Sequence, residues 1–162
     1  MGFSDSSWSN CPDTGRSTVA YIIFDQGVSI YHGTHFPGSV AKLSAESEYN
    51  SAGTAGKSLE HFRVLINEFL NKDPYIVPEE DLLFVLDGKS AICMSKNGKD
   101  NRHTSPIARR INFVRNREKC NIYKIYWCEG GLQLAYIATN NVGKHDLTPR
   151  MKFIMVRIGQ LI

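Results

Sequence analysis

The stretch TVAYIIFDQGVSIYH, Thr18–His32, consists of two β-prone runs joined by the turn residues Asp25-Gln26-Gly27. Because β-branched and aromatic residues flank a glycine-containing turn, the stretch predicts an antiparallel hairpin. A further β-prone run, Gly2–Trp8, precedes the hairpin, and turn residues separate the two. The sequence therefore predicts a three-stranded antiparallel meander at the start of the chain.

The period of the apolar residues becomes helical after this meander. Between Ser44 and Leu70 they recur at alternating spacings of four and three, which predicts one long helix with Glu48 near the start of its apolar face. The unbroken apolar run Leu82–Leu86 is typical of a strand that is covered on both faces, and Asp87 follows it directly.

The remainder of the chain is predicted to contain further helices and one more strand. Helices are predicted over residues 89–96 and 106–119, and a strand over 122–128. A helix is predicted to start in residues 132–139, and a final helix covers 148–158, with Pro149 in its first turn. This order predicts the α/β class, with a mixed five-stranded sheet of three antiparallel strands followed by two further strands, flanked by helices. A chain of 162 residues, 42% of them hydrophobic, has the size of one domain, residues 1–162.

The composition limits the possible classes of protein. No segment approaches the roughly 18 apolar residues that span a bilayer, and the start lacks a basic-then-apolar signal pattern, so an intracellular protein, cytoplasmic or nuclear, is expected. The four cysteines form no CxxC pair and have no matching histidine pair, which indicates neither a zinc knuckle nor a disulfide framework. The net charge of +3 is a mild indication of a polyanionic partner, although solubility alone would explain it.

Three acidic residues fall where strands or helices would place them near the interior: Asp5 on the first strand, Glu48 on the apolar helix face and Asp87 at the end of the buried strand. Buried carboxylates are unfavourable unless a cation or hydrogen bonds compensate them. A cluster around Mg²⁺ would do so, and two such ions can clamp the attacking and leaving oxygens of a phosphodiester. Solvated strand ends and helix caps are the alternative explanation for each acid taken singly.

Five sequence blocks, spread over nearly the whole chain, resemble one known family. They are GFSDSSW with PDTGRST (2–8 and 12–18), LSAESEY (43–49), VLDGKSAI (85–92), RHT with IARRINFVR (102–104 and 107–115) and LAYIATN (134–140). The ribonuclease H domains of copia-type (Ty/copia) LTR retrotransposon polyproteins contain similar blocks in the same order: GYSDADW, LSSTEAEY, CDNQSAI, a basic helix ending in YHFIR, and LADIxTK. The order of the blocks makes the resemblance specific.

The resemblance implies a ribonuclease H-like fold and Mg²⁺-dependent endonucleolytic cleavage of the RNA strand of an RNA/DNA hybrid, with Mn²⁺ as a possible substitute. It implies that Asp5, Glu48 and Asp87 are catalytic metal ligands, with Asp5 bridging two ions and Glu48 preferred to Glu46. It also implies a reverse transcriptase domain as a possible partner. Because the chain starts almost inside its first strand, we expect it to be cut from, or descended from, a longer polyprotein, with an unusually short natural N-terminus as the alternative.

Tyr136 stands where the family has its fourth catalytic aspartate. A neutral phenol, with an ordinary pKa near 10, is a poor Mg²⁺ ligand. We therefore expect hydrolysis to be weakened or lost, unless Glu129 or Asp146 replaces the missing acid. The alternative function is a non-catalytic domesticated module for nucleic-acid or protein interaction.

A basic stretch is the second candidate for function. Arg102, His103, Arg109, Arg110 and Arg115 crowd into a short span, whereas charge is nearly balanced elsewhere. We interpret them as phosphate contacts for a hybrid duplex, with a solvated helix face as the alternative.

Two further features are interpreted as structural. Trp8 and Trp127 are predicted to lie in the core, since aromatic residues on strands of a mixed sheet usually do. The stretch GTAGKS, residues 53–58, superficially resembles a phosphate-binding loop, but it lies within the predicted long helix, where small residues favour close packing.

Overall fold

The computed structural model describes residues 1–73, 82–89, 92, 93 and 108–154. Its strands form one sheet in the order β3-β2-β1-β4-β5. Strands β1 and β2 are antiparallel, as are β2 and β3, whereas β4 is parallel to both β1 and β5. The bounds are β1 Gly2–Ser7, β2 Thr18–Asp25, β3 Val28–His35, β4 Leu83–Leu86 and β5 Lys124–Trp127. The predicted mixed five-stranded sheet is confirmed.

Helices lie on both faces of this sheet. The helices are α1 Ser44–Phe69, α2 Ala108–Lys119 and α3 Lys144–Ile154, and two short 3-10 helices cover Gly130–Leu132 and Leu134–Ala138. On one face, α1 and α2 bury a core that includes Leu59, Phe84 and Val114. On the other face, Phe24 and Leu134 join a second cluster, against which Ile154 of α3 packs. None of the described helices is long and apolar enough to cross a bilayer.

Helices α1 and α2 run parallel to each other. Near the start of α2, the side chain of Arg110 lies 3.8 Å from where a Cβ on Gly53 would be. Near its end, Arg117 Nε donates to Glu60 Oε2 at 2.9 Å. Contacts that advance in step along both helices require parallel axes. The first turn of α2 therefore lies toward the same end of the sheet as Glu48.

The C-terminal elements differ from those predicted. The segment 132–139 forms 3-10 turns rather than the start of an α-helix, and the last helix begins at Lys144, so Pro149 lies in its second turn. The carbonyl of Gly143 accepts the amides of Asp146 and Leu147 at 3.1 and 3.0 Å, which begins the helix one turn early. Most of the helix predicted over 89–96 lies outside the described residues, but the Ile92 amide donates to the Gly88 carbonyl at 3.1 Å. Residues 155–158 also lie outside them.

The core prediction for Trp8 and Trp127 is wrong. Trp8 is 50% exposed and Trp127 48% exposed. Trp8 follows β1, and its indole N–H donates to the Ala41 carbonyl at 3.0 Å. Trp127 ends β5, and its indole N–H donates to the Asp87 carbonyl at 3.0 Å. An indole held in this way lies across the sheet edge instead of filling the interior.

The GTAGKS stretch lies inside α1, as predicted. A Cβ on Gly56 would lie 3.0 Å from the hydroxyl oxygen of Tyr123. The small residue therefore allows close packing, and the phosphate-loop interpretation has no structural support.

Candidate metal centre

The three predicted acids converge at one edge of the sheet. In the parallel pair β1–β4, Ser4 is in register with Leu86, so the next residues, Asp5 and Asp87, reach the same edge. Glu48 joins them from the second turn of α1. One carboxylate oxygen from each acid lies within 4.8 Å of the others. Among the described residues, this is the one group of three or more His, Cys, Asp or Glu side chains close enough to hold a metal ion together.

Hydroxyl groups hold two of these acids in place. Ser6 donates to Glu48 Oε1 at 2.9 Å, and Thr139 donates to the carboxylate of Asp5. The Ser51 hydroxyl donates to the main-chain carbonyl oxygen of Asp5 at 2.6 Å. This hydrogen bond connects α1 to β1 at Asp5 itself. The Glu48 and Asp5 carboxylates thus have fixed positions before any ion binds.

The electrostatics of the cluster favour a cation. Burial raises the pKa of Glu48 to about 8, with the charges of Asp5 and Asp87 adding to the effect. Burial raises the pKa of Asp5 to about 6. The hydrogen bond from Thr139 lowers this pKa, and the charge of Asp87 raises it further. Burial also raises the pKa of Asp87. Carboxylate oxygens are the ligands that hard divalent ions prefer, so these residues could hold such an ion.

Tyr136 lies in the second 3-10 helix, three residues before Thr139. The guanidinium carbon of Arg150, on α3, lies 5.0 Å from the centre of its ring. The two acids considered as replacements do not join the cluster: Glu129 is exposed, and Asp146 lies 3.5 Å from His145 at the surface. Neither supplies a fourth carboxylate in this arrangement.

The arginines of the basic stretch have different positions. Arg109 and Arg110 are exposed in the first turn of α2, toward the acidic end of the sheet. Arg115 is 8% exposed, and its Nη1 donates to Asn112 at 2.8 Å, so we leave it out of the candidate surface. Arg102 and His103 lie outside the described residues.

Sequence reasoning missed the roles of four residues around the acids. Trp127 donates to the main-chain carbonyl of Asp87, and the Lys89 ammonium lies 4.6 Å from the centre of the indole, so an exposed aromatic surface with a cation adjoins the cluster. Arg150 and Thr139 also lie beside the acids, although both are far from Asp5 in the sequence. Two of the four residues had a sequence signal: Thr139 shares a block with Tyr136 at the spacing of one 3-10 turn, and Lys89 shares a block with Asp87.

No protein-family model matches this sequence, and no curated protein matches it. Solved structures do share the fold. Ribonuclease H1 from the halophilic archaeon Halobacterium salinarum NRC-1 is 15% identical, with a TM-score of 0.52 over 85% of this chain and 91% of that one. LC11-RNase H1, solved in complex with an RNA/DNA hybrid, is 7% identical, with a TM-score of 0.56 over 82% of this chain and 86% of that one.

A third similar structure is the N-terminal RNase H domain of a Mycobacterium tuberculosis protein, solved as a fusion with maltose-binding protein. It is 7% identical, with a TM-score of 0.50 over 93% of this chain and 94% of that one. These similarities extend over most of each chain, and at such low identity they concern the fold.

Proposed function

We propose that this chain, whose fold is that of ribonuclease H, binds RNA/DNA hybrid and a divalent ion, and that its hydrolysis of the RNA strand is weak. The observation on which the proposal rests is the convergence of Asp5, Glu48 and Asp87 within 4.8 Å at the carboxyl edge of this sheet. One structural neighbour was solved with RNA/DNA hybrid bound, and it covers 82% of this chain.

We propose Mg²⁺ as the ion, with Mn²⁺ as a substitute, because the three donors are all carboxylates. When bound, such an ion stabilises the charge that develops on phosphate oxygens during hydrolysis. The chain itself contributes the fixed positions of two of the acids. The Ser6 and Thr139 hydroxyls orient Glu48 and Asp5, so the donors need little rearrangement.

Hydrolysis is weak in this proposal because, among the residues that the structure describes, no fourth carboxylate joins the cluster at Tyr136. A neutral phenol at this position neither binds a hard cation well nor accepts a proton from an attacking water at neutral pH. The nearby Arg150 adds a positive charge beside Tyr136, the position at which the family that the sequence resembles has an aspartate.

The hybrid would lie across the acidic edge, with contacts on both sides of the scissile phosphate. Arg109 and Arg110 offer phosphate contacts from the first turn of α2. The half-exposed ring of Trp127 offers a stacking surface for a base or sugar directly beside Asp87. Both features are independent of hydrolysis, so hybrid binding is expected even where cleavage is slow.

A non-catalytic interaction module is the second candidate. The stacking of Arg150 on Tyr136 favours it, because the stack fills the side of the site that hydrolysis requires with groups that cannot bind a cation. The two candidates differ in whether any cleavage depends on the acids.

We also propose that the domain derives from a copia-type retroelement, where it would work beside a reverse transcriptase domain. The five sequence blocks that occur in family order support this ancestry. Fusing the chain to a copia-type reverse transcriptase and measuring whether hybrid binding tightens would test the partnership. Unchanged hybrid affinity in the fusion would count against it.

The deciding experiment measures binding and cleavage of an RNA/DNA hybrid in Mg²⁺ and in Mn²⁺. We expect binding by the wild-type chain, slow cleavage that Asp5→Asn abolishes, and at least about tenfold faster cleavage after Tyr136→Asp. Cleavage that persists in Asp5→Asn would be contamination and would refute a catalytic role. Binding without cleavage in every variant would favour the interaction module, and absence of hybrid binding would contradict both candidates.

A further inference from the structure

Arg150 is anchored beside the acidic site by three contacts. Its guanidinium carbon lies 5.0 Å from the centre of the Tyr136 ring, its Nη1 donates to the Asp146 carbonyl at 3.0 Å, and its Nη2 donates to the Gly130 carbonyl at 3.1 Å. A guanidinium over an aromatic face is a favourable, oriented contact. In the part of the chain that the structure describes, no carboxylate lies within salt-bridge distance of Arg150. Its charge is therefore fixed in place and not neutralised by an ion pair there.

Two of the three anchors of Arg150, Gly130 and Tyr136, lie next to groups that contact the acids. A Cβ on Gly130 would lie 3.9 Å from Asp87 Oδ2, so the residue whose carbonyl binds the guanidinium adjoins this carboxylate. The Tyr136 carbonyl accepts the Thr139 hydroxyl at 3.1 Å, and the same hydroxyl donates to Asp5. The Arg150 charge lowers the pKa of Asp5, although burial has the larger, opposite effect.

We propose that this site binds one divalent ion, and that Arg150, held on Tyr136, supplies the fixed positive charge on the other side of the acids. The inference rests on the proposed function, because it concerns the same metal centre. It goes beyond the loss of an aspartate, since it assigns a role to a cation of the chain that no sequence block indicated.

The balance of charge supports a single ion. Once an ion is bound and all three acids are deprotonated, the carboxylates carry three negative charges, which one divalent ion and one guanidinium neutralise together. A second divalent ion would leave the cluster with two excess positive charges in a largely buried site, which is strongly unfavourable. Replacing Tyr136 with a carboxylate and removing the guanidinium would balance two divalent ions.

The test counts bound Mn²⁺ on the full chain, by calorimetric titration and by electron paramagnetic resonance of the free ion, near pH 8. We expect one Mn²⁺ per wild-type chain and two per chain of the double variant Tyr136→Asp/Arg150→Gln. Arg150→Gln alone should keep one ion and bind it several-fold more tightly, because a repelling charge is removed. The matched control Lys152→Gln removes the same charge from an exposed position on α3 and should leave the affinity unchanged.

The outcomes separate this inference from the proposed function. Two Mn²⁺ on the wild-type chain, both lost in Asp5→Asn, would overturn the single-ion inference and leave the metal centre standing. One ion on a double variant that retains the wild-type circular dichroism spectrum would also overturn it. No Mn²⁺ on the wild-type chain would overturn the metal centre itself. The wild-type count decides the matter even if the double variant does not fold.

Discussion

The hydroxyl of Thr139 donates a hydrogen bond to the carboxylate of Asp5 across 134 positions of sequence. Thr139 is 4% exposed, and its hydroxyl also accepts the Asn140 side-chain amide at 2.8 Å. The contact fastens the second 3-10 helix to the first strand at the point where the acids meet. It stabilises the charged form of Asp5 in a setting where burial opposes that charge.

Removing the Thr139 hydroxyl is expected to destabilise the protein at neutral pH and above. Thr139→Val keeps the shape but leaves the Asp5 carboxylate without this donor, so the pKa of Asp5 rises further above about 6. A hydrogen bond to a charged group contributes about 1.5–3 kcal/mol, and we expect a loss of about that size in the free energy of unfolding. Urea denaturation at pH 8 without metal measures it. Thr139→Ser, which retains the hydroxyl, should lose less than half as much; an equal loss would assign the effect to packing.

The stability of the metal-free protein is expected to fall as pH rises from 5 to 8. The pKa of Glu48 is raised to about 8 in the folded chain, from an ordinary value of 4.5. The folded state therefore binds the proton more tightly, so its stabilising effect is complete below about pH 4 and is lost as pH rises through 8. Melting temperatures in a chelator should fall over this range, and Mn²⁺ should restore more stability at pH 8 than at pH 5.

Glu48→Gln supplies the variant for the pH experiment. It removes the buried charge, so the metal-free melting temperature should vary less with pH and exceed that of the wild type at pH 8. Glu68→Gln, an exposed position on the same helix, is the control and should keep the wild-type profile. A wild-type profile in Glu48→Gln would show that other groups cause the pH dependence.

Trp127 is expected to contribute to hybrid binding. Stacking of a base on an aromatic ring contributes about 1–3 kcal/mol, so Trp127→Ala should weaken hybrid affinity at least about fivefold in a fluorescence anisotropy titration. Tyr126 is a matched control: it is 47% exposed against 48% for Trp127, yet successive strand residues point to opposite faces. Equal effects of Tyr126→Ala and Trp127→Ala would argue against a specific stacking position.

Arg109 and Arg110 are expected to set part of the salt dependence of binding. Each phosphate contact releases about 0.7–0.9 counterion, so the double change Arg109→Gln/Arg110→Gln should lower the slope of log affinity against log salt by about 1.5. Arg117→Gln removes a charge from the same helix, but this arginine pairs with Glu60 on α1. For this variant, the slope of log affinity against log salt should stay near the wild-type value. A slope unchanged by the double variant would place the hybrid elsewhere on the surface.

Much of the fold was predictable because it depends on local patterns. The β-prone runs around Asp25-Gln26-Gly27 and the helical period beginning at Ser44 predicted elements whose ends match the structure closely. The C-terminal region was less predictable, because the last helix begins with hydrogen bonds to the Gly143 carbonyl, which a residue pattern does not contain. Trp127 was misplaced for a related reason, since the acceptor of its indole N–H is 40 residues away.

From the sequence alone, the order of the strands, the long helix that follows the first three strands and the three acids could be predicted. The interpretation of Tyr136 as a lost fourth acid stays a prediction. Only the tertiary structure decided how those acids meet, because the parallel register of β1 and β4 brings Asp5 and Asp87 to one edge. It alone placed Arg150 against Tyr136 and the Thr139 hydroxyl on Asp5. Contacts between residues far apart in sequence arise when the helices pack onto the sheet. The spacing of residues along the chain does not predict which distant side chains meet.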